Sequence, residues 1–379
     1  MAIHVGVITE IAADERRIAM TPDIAGRLAT LGGRVFVEAG AGRGAFFDDA
    51  AFQHRSAIIT DRQTVLTESA ILWTVQPPAA DVIAAMRPNS MVMGLMLPHQ
   101  SPDRVRQLCA QHLTAFGMEL IPRVTRAQTM DVLSSQATIA GYKATLLAAQ
   151  LSGVFFPMLT TAAGTIRPAK VLILGAGVAG LQASATARRL GALVEAYDVR
   201  RAAKEEVESL GARFIGLPID AATTGGYARA LTAEERAQEE QVVAEHVAKA
   251  DVVITTAQIP GRPAPRLIDR TTVEQMRPGA VIVDLAAESG GNCACTTAGS
   301  VTLHHGVTIA GPRNIASTLP GQASEMYAKN CLNFYCLLTR EGTSLDPDWN
   351  DEIIAGALLV RDGTIRHEPT REQMEGAPQ

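Results

Sequence analysis

Three glycines in one short run are spaced to bring main chain against a phosphate. Gly175, Gly177 and Gly180 form GxGxxG. The first permits a tight turn, the second lets backbone approach a pyrophosphate, and the third lets a helix pack closely on a strand. The helix that opens at Val178, Ala179 and Gly180 would offer unpaired N–H groups and the positive end of its dipole. An acid follows at Asp198, in the run Asp198-Val199-Arg200, where it can hold a ribose 2′-OH. A carboxylate there repels a 2′-phosphate, so NAD is favoured over NADP, and Arg200 and Arg201 stand near enough to soften the preference.

Those residues need a strand, a turn, a helix and a second strand to position them. Residues 171–174 are apolar and β-branched enough for a buried strand, and residues 181–190 read as a helix that Gly191 ends. Residues 193–197 form the next strand and deliver Asp198 at its end. With all the parts in register, the reading is a dinucleotide-binding site. The bland alternative is a Rossmann-like fold whose site has degenerated.

The whole chain has 379 residues, which favours two domains, and 47% hydrophobic residues, enough for real cores. A net charge of −5, with no basic run beyond pairs, argues against a nucleic-acid surface. Five scattered cysteines suggest reduced thiols and a cytoplasmic setting. Cys293 and Cys295 lack a matching second pair, so no metal site is expected. The N-terminus runs straight into a strand and has no signal-peptide character. Between Lys143 and Arg167 no residue is charged, but Gln150, Gly153 and Pro157 interrupt the stretch. It reads as a buried helix ending near Gly153 and a loop, not as a membrane span.

A βα alternation fills the first ~130 residues: strands near 3–8, 35–40, 71–75, 90–97 and 114–119, with helices between them. After Asp198 come a helix (203–210) and strands at 213–217, 251–256, 280–284 and 307–310. A polar stretch from Thr223 to Gln241 interrupts this order, and its Gly-Gly-Tyr opening suits a flap over a bound ligand. Residues 324–338 are helical and of a kind that returns to the first domain, and the tail after Arg366 reads as loose. The expected architecture is α/β: two Rossmann-like domains with parallel sheets and the cofactor cleft between them. Residues 1–132 and 317–379 would make one domain and 133–316 the other.

A second polar group precedes the glycine turn. If residues 121–144 are one helix, Gln128, Asp131, Ser134 or Ser135, Thr138 and Tyr142 share a stripe, with Met130, Leu133, Ala137 and Ala140 opposite. Arg123 lies just before. Either this is a solvated helix face with Asp131 near the N-terminus, or it is a set of donors and acceptors at the mouth of the cofactor cleft.

The segments RVTRAQTMDVLSSQATIAGYKA, FFPMLTTAAGTIRPAKVLILGAGVAGLQASATARRLGA, ITTAQIPGRPAPRLI, VIVDLAAESGGNC and LPGQASEMYAKN decide how far this can be taken. With them the chain resembles the NAD(H)-binding component, the alpha-1 subunit, of proton-translocating NAD(P) transhydrogenases. The likeness spans nearly the whole sequence. It implies an oxidoreductase that passes hydride from NADH bound here to NADP⁺ on a partner component. It also implies a homodimer, held on the cytoplasmic membrane by an NADP(H)-binding and a transmembrane component. By the same resemblance, Arg123, Gln128, Asp131 and Ser134 gather around the nicotinamide. Asp198 would hold the adenine-side ribose, with Val199, Arg200, Gly225, Thr256 and Ala257 beside the cofactor and Tyr227 in a loop that closes on it. The residues after Tyr227 depart from the family in lacking a methionine.

The alternatives are an alanine dehydrogenase-like enzyme, a relative that shares ERRIAMTP and VFVEAGAGRGAFF, and a non-catalytic NAD-binding protein. The first needs a lysine and a histidine in the N-terminal domain. The place for the lysine reads WTVQPP, the first lysine in the chain is Lys143, and His99 is out of register.

Overall fold

The computed structural model describes residues 2–216, 223–224, 227–228, 232–258, 261–340 and 344–376. The chain forms two compact units, 1–136 with 317–379, and 137–316.

In the first unit six strands alternate with short helices: β1 (His4–Val7), β2 (Arg34–Glu38), β3 (Ile58–Thr60), β4 (Ile71–Trp73), β5 (Met91–Gly94) and β6 (Thr114–Gly117). All pair in parallel, so both faces need cover, and their near-continuous apolar runs reflect that. Polar N-caps set the helix starts between them. Thr21, Asp48, Asp61 and Ser101 each accept a hydrogen bond from the main chain of the first turn.

The second unit holds β7 (Lys170–Leu174), β8 (Leu193–Tyr197), β9 (Arg213–Ile215), β10 (Val252–Thr255), β11 (Val281–Asp284), β12 (Val301–His304) and β13 (Val307–Ala310). Their order across the sheet is β9-β8-β7-β10-β11-β13-β12, parallel except for the edge strand β12. The order reverses at β7, whose flanking strands β8 and β10 lie on opposite sides. Ligands of open α/β sheets bind beyond the carboxyl ends of strands at such a switch point. β12, with Val301 and Leu303 exposed, and the short edge strand β3 were not legible as strands.

Four helices matter for the sites: α1 (Val132–Leu151), α2 (Val178–Arg189), α3 (Ala233–Lys249) and α4 (Pro320–Leu338). α4 belongs to the first unit and seals its core. Tyr327, Phe334, Tyr335 and Leu338 are fully buried there, with Trp73 6.0 Å from the Tyr335 ring and Phe116 5.3 Å from that of Phe334. The chain then adds β14 (Leu358–Arg361), antiparallel to β6, and β15 (Thr364–Ile365), giving the order β15-β14-β6-β5-β4-β1-β2-β3.

Two expectations need correction. The tail after Arg366 is not loose: Glu368–Glu375 is a helix, with Pro369 in its first turn where a missing N–H costs nothing. The polar stretch to Gln241 is not loop throughout either, because α3 starts at Ala233. A reciprocal capping box fixes that start: Thr232 Oγ1 accepts from the Glu235 N–H at 3.3 Å, and Glu235 Oε2 accepts from the Thr232 N–H at 2.8 Å. The opening half of the supposed flap lies mostly outside the described residues, and for residues 223–224 and 227–228 only a short backbone pairing is described. Among the described residues no helix is long and apolar enough to cross a membrane.

Candidate functional site

The glycine turn has the geometry its spacing predicts. Gly175 takes φ +101°, a conformation that L side chains rarely adopt. A Cβ on Gly180 would lie 1.8 Å from the Gly175 carbonyl oxygen, so only glycine lets α2 rest on β7. A Cβ on Gly177, by contrast, would meet nothing within 4 Å. Packing does not demand glycine there, and the open space is what a diphosphate approaching main chain needs. Gly177 is the N-cap of α2 and has no side chain to satisfy the first-turn N–H groups of Val178, Ala179 and Gly180. The chain's own residues therefore fit a dinucleotide pyrophosphate.

Asp198 follows β8 and is 8% exposed. Its Oδ2 accepts the N–H of Ala176, inside the glycine turn, at 2.8 Å. The carboxylate is thus tied to the backbone of the glycine turn. Arg200 forms an ion pair with it at 2.9 Å. Behind the pair, Tyr197 Oη donates to Glu239 of α3 at 2.8 Å. Burial pushes the Glu239 carboxyl up from its ordinary range, opposed by that hydrogen bond.

Thr256 and Ala257 come from the chain leaving β10. Thr256 Oγ1 donates to the Gly175 carbonyl at 3.0 Å and braces the turn from the other side. Sequence reasoning missed what holds this segment. Asn292 is fully buried and bonds to both sides of the Ala257 residue, and its Nδ2 also donates to the Pro265 carbonyl at 2.7 Å. Asp284, at the end of β11, is equally buried. It accepts from Thr255 Oγ1, Thr296 Oγ1 and the N–H groups of Ala286 and Cys293. The only sequence signal was a polar residue in GGNC, a few residues past the strand that ends at Asp284.

Two small residues on α1 also escaped notice. A Cβ on Gly141 would lie 2.1 Å from the Ala179 carbonyl, and Thr145 Oγ1 is within hydrogen-bonding distance of the Ala183 carbonyl at 3.2 Å. This close contact with the start of α2, together with buried Ala144 and Ala148, explains why α1 carries no charge after Lys143, whereas the expected loop beyond it contains a mostly exposed antiparallel pair, Leu159–Thr161 with Gly164–Ile166.

The polar stripe is corrected. Residues Thr125–Met130 form a 3-10 turn, Asp131 is extended, and α1 begins at Val132. Gln128 is therefore on a different element from Ser134, and Leu133 is 39% exposed where the stripe put it inside. Asp131 acts as a cap: Oδ1 accepts the Ser134 N–H at 2.8 Å and Oδ2 accepts the Ser134 hydroxyl at 2.6 Å. Arg123 and Gln128 lie exposed just upstream. Gly225 is outside the described residues, and for Tyr227 only its backbone pairing with Thr224 is described.

The first unit buries a charged cluster near β4. Glu10 accepts the N–H groups of Val75 at 2.5 Å and Gln76 at 3.2 Å. Burial, reinforced by nearby Glu15, pushes its carboxyl up to about 7 despite those bonds. Arg17 grips Glu15 through Nε and Nη2 at 2.8 and 2.6 Å and donates to Gln136 at 2.8 Å. Gln76 Nε2 donates to Glu15 at 2.7 Å. Gln76, in the run WTVQPP, thus brings to this cluster an amide, which does not titrate near neutral pH. His99 is exposed on a short turn.

Known proteins resemble this chain over its length. Residues 6–140 match the model for the alanine dehydrogenase/PNT N-terminal domain, and residues 144–368 match its C-terminal domain. An NAD(P) transhydrogenase subunit alpha protein of Rhodospirillum rubrum is 41% identical over 376 residues, covering 96% of this chain and 98% of that one. The crystal structure of transhydrogenase from Sinorhizobium meliloti superposes with a TM-score of 0.88 at 42% identity, covering 96% of this chain and 99% of that one. Alanine dehydrogenase of Mycolicibacterium smegmatis is more distant, 26% identical with 98% of this chain and 96% of that one covered.

Proposed function

The chain belongs to the alanine dehydrogenase/PNT family, and from that premise we propose that it is the NAD(H)-binding component of a proton-translocating NAD(P) transhydrogenase. It would work as a homodimer with an NADP(H)-binding and a transmembrane component, at the cytoplasmic face of the membrane. The observation that carries the reading is 41% identity to a transhydrogenase subunit along nearly the full length of both chains. The half-buried Gln76 amide supports it over the amino-acid dehydrogenase reading, because oxidising an amine needs a placed base and passing hydride between two nicotinamides does not.

On this reading the N–H groups of Val178, Ala179 and Gly180 meet the pyrophosphate, and Asp198 receives the adenine-side ribose. Thr256 and Ala257 keep the turn in shape. Arg123, Asp131 and Ser134 orient the carboxamide, and exposed Gln128 faces the partner's cofactor. The bound nicotinamide supplies the hydride at C4. The protein's part is to bring the donor to near-attack distance and exclude alternatives, and positioning of this kind accounts for much of the rate.

A simple assay separates this reading from its nearest rival. Purified protein given alanine and NAD should produce no NADH above background, while NADH titration shows saturable binding. Alanine-dependent NADH formation would restore the dehydrogenase reading. Absence of NADH binding would defeat both.

A further inference from the structure

Asp198 already has four donors. Oδ1 accepts the Arg200 N–H at 2.8 Å and Arg200 Nε at 2.9 Å, while Oδ2 accepts the Ala176 N–H at 2.8 Å and Arg200 Nη2 at 2.9 Å. A carboxylate offers about four lone-pair sites, so all are taken. Two of the donors are main chain, one in the glycine turn and one two residues past Asp198 itself. The other two are adjacent nitrogens of one guanidinium, and a vicinal diol presents its two hydroxyls in a similar paired way. A ribose can reach Asp198 only by taking the places of Nε and Nη2. The Arg200 side chain is 26% exposed, against 8% for that of Asp198, so the arginine is the member of the pair with a way out.

We propose that Arg200 determines cofactor specificity from the ribose seat: it fills that seat as a stand-in for the diol, is displaced by NADH, and then stands beside the 2′ position as a ready partner for a phosphate. The inference rests on the NAD(H) reading above. It makes discrimination the result of two opposed residues. Asp198 rejects the 2′-phosphate, and Arg200 limits how strongly. Arg200 also opposes NADH, since the bidentate ion pair must open first. Guanidinium forks match phosphate as well as carboxylate, so a displaced Arg200 side chain can pair with a 2′-phosphate.

Calorimetric titration of the full chain with NADH and with NADPH tests this directly. Arg200→Gln should bind NADH about threefold tighter or more and NADPH more weakly, widening the ratio between them by roughly tenfold. Asp198→Asn should gain NADPH affinity by about tenfold, because Arg200 is released toward the phosphate. The double variant Asp198→Asn/Arg200→Gln should lose that gain. Equal weakening of both cofactors in Arg200→Gln, or an NADPH gain that survives in the double variant, would overturn the assignment. Because Arg200→Gln leaves every backbone donor to Asp198 in place, it decides the question even where the Asp198 variants fold poorly. A wild-type protein that binds neither dinucleotide would instead overturn the cofactor reading on which the inference stands.

Discussion

Asn292 and Ala257 hydrogen-bond to each other twice: the Ala257 N–H donates to Asn292 Oδ1 at 3.1 Å, and Asn292 Nδ2 donates to the Ala257 carbonyl at 2.8 Å. A buried side-chain amide thus does for this segment what a neighbouring strand would do. The segment it holds is the one whose Thr256 hydroxyl braces Gly175.

Asn292→Ala leaves the Ala257 N–H and two half-buried carbonyls without these partners, and each costs up to about 1–3 kcal/mol where water does not replace the lost bond. The expected result is a lowered melting temperature together with NADH affinity reduced by roughly tenfold, since the bracing segment can shift. Titration calorimetry at a temperature where the variant is folded checks it. Wild-type affinity there would separate Asn292 from the cofactor site.

The glycine turn gives a paired prediction. Gly177→Ala adds a methyl where nothing lies within 4 Å, so stability stays near wild type while NADH binding drops roughly tenfold or more, because the methyl takes the space a phosphate needs. Gly180→Ala puts a Cβ 1.8 Å from a carbonyl oxygen and costs about 3 kcal/mol of stability. Denaturant unfolding beside NADH titration distinguishes them. If Gly177→Ala binds NADH normally, the phosphate is not seated there.

Glu10 makes stability depend on pH. Its folded carboxyl is raised from 4.5 to about 7 by burial. Between those values the folded state holds more protons than the unfolded one, so stability falls as pH rises through this window, by about 3 kcal/mol in all. Glu119, also raised by burial, adds to the same trend. Glu10→Gln removes the titrating group, keeps one oxygen acceptor for the Val75 N–H, and should flatten most of the slope. Urea unfolding from about pH 5 to 8 measures it. A slope unchanged in the variant would assign the effect elsewhere.

The residues around α1 are expected to matter for chemistry more than for binding. Gln128→Ala should keep NADH affinity within a few-fold of wild type and slow hydride transfer to a partner-bound NADP analogue by roughly tenfold, as small misplacements of reacting atoms are costly. Asp131→Asn weakens the cap on Ser134 and should act the same way. Rates intact in both variants would return these residues to an ordinary solvated helix start.

The parallel sheets and the glycine turn were legible because local chemistry determines them: β-branched runs, capping residues before helices, and a glycine spacing whose steric reasons are local. Asp198 was legible for the same reason. Asn292, Asp284, Gly141 and Thr145 were not, since each acts on a peptide group distant in sequence and no pattern of residue types announces such a partner. The stripe failed at Asp131 because helical spacing was assumed to run through a residue whose short acidic side chain instead caps the helix that follows. The polar composition of the tail hides a proline-started helix. The hold of Arg200 on Asp198 was foreseen only as proximity, and the four-donor arrangement depends on side-chain direction.

The central claim is that this chain presents NADH to a second nicotinamide. Its most direct measurement is stopped-flow reduction of an NADP⁺ analogue by NADH, with and without an added NADP(H)-binding transhydrogenase component. This chain alone should give no transfer, and transfer should be rapid and saturable in NADH once that component is present. NADH binding without any transfer in the mixture would contradict it and leave a non-catalytic NAD-binding protein.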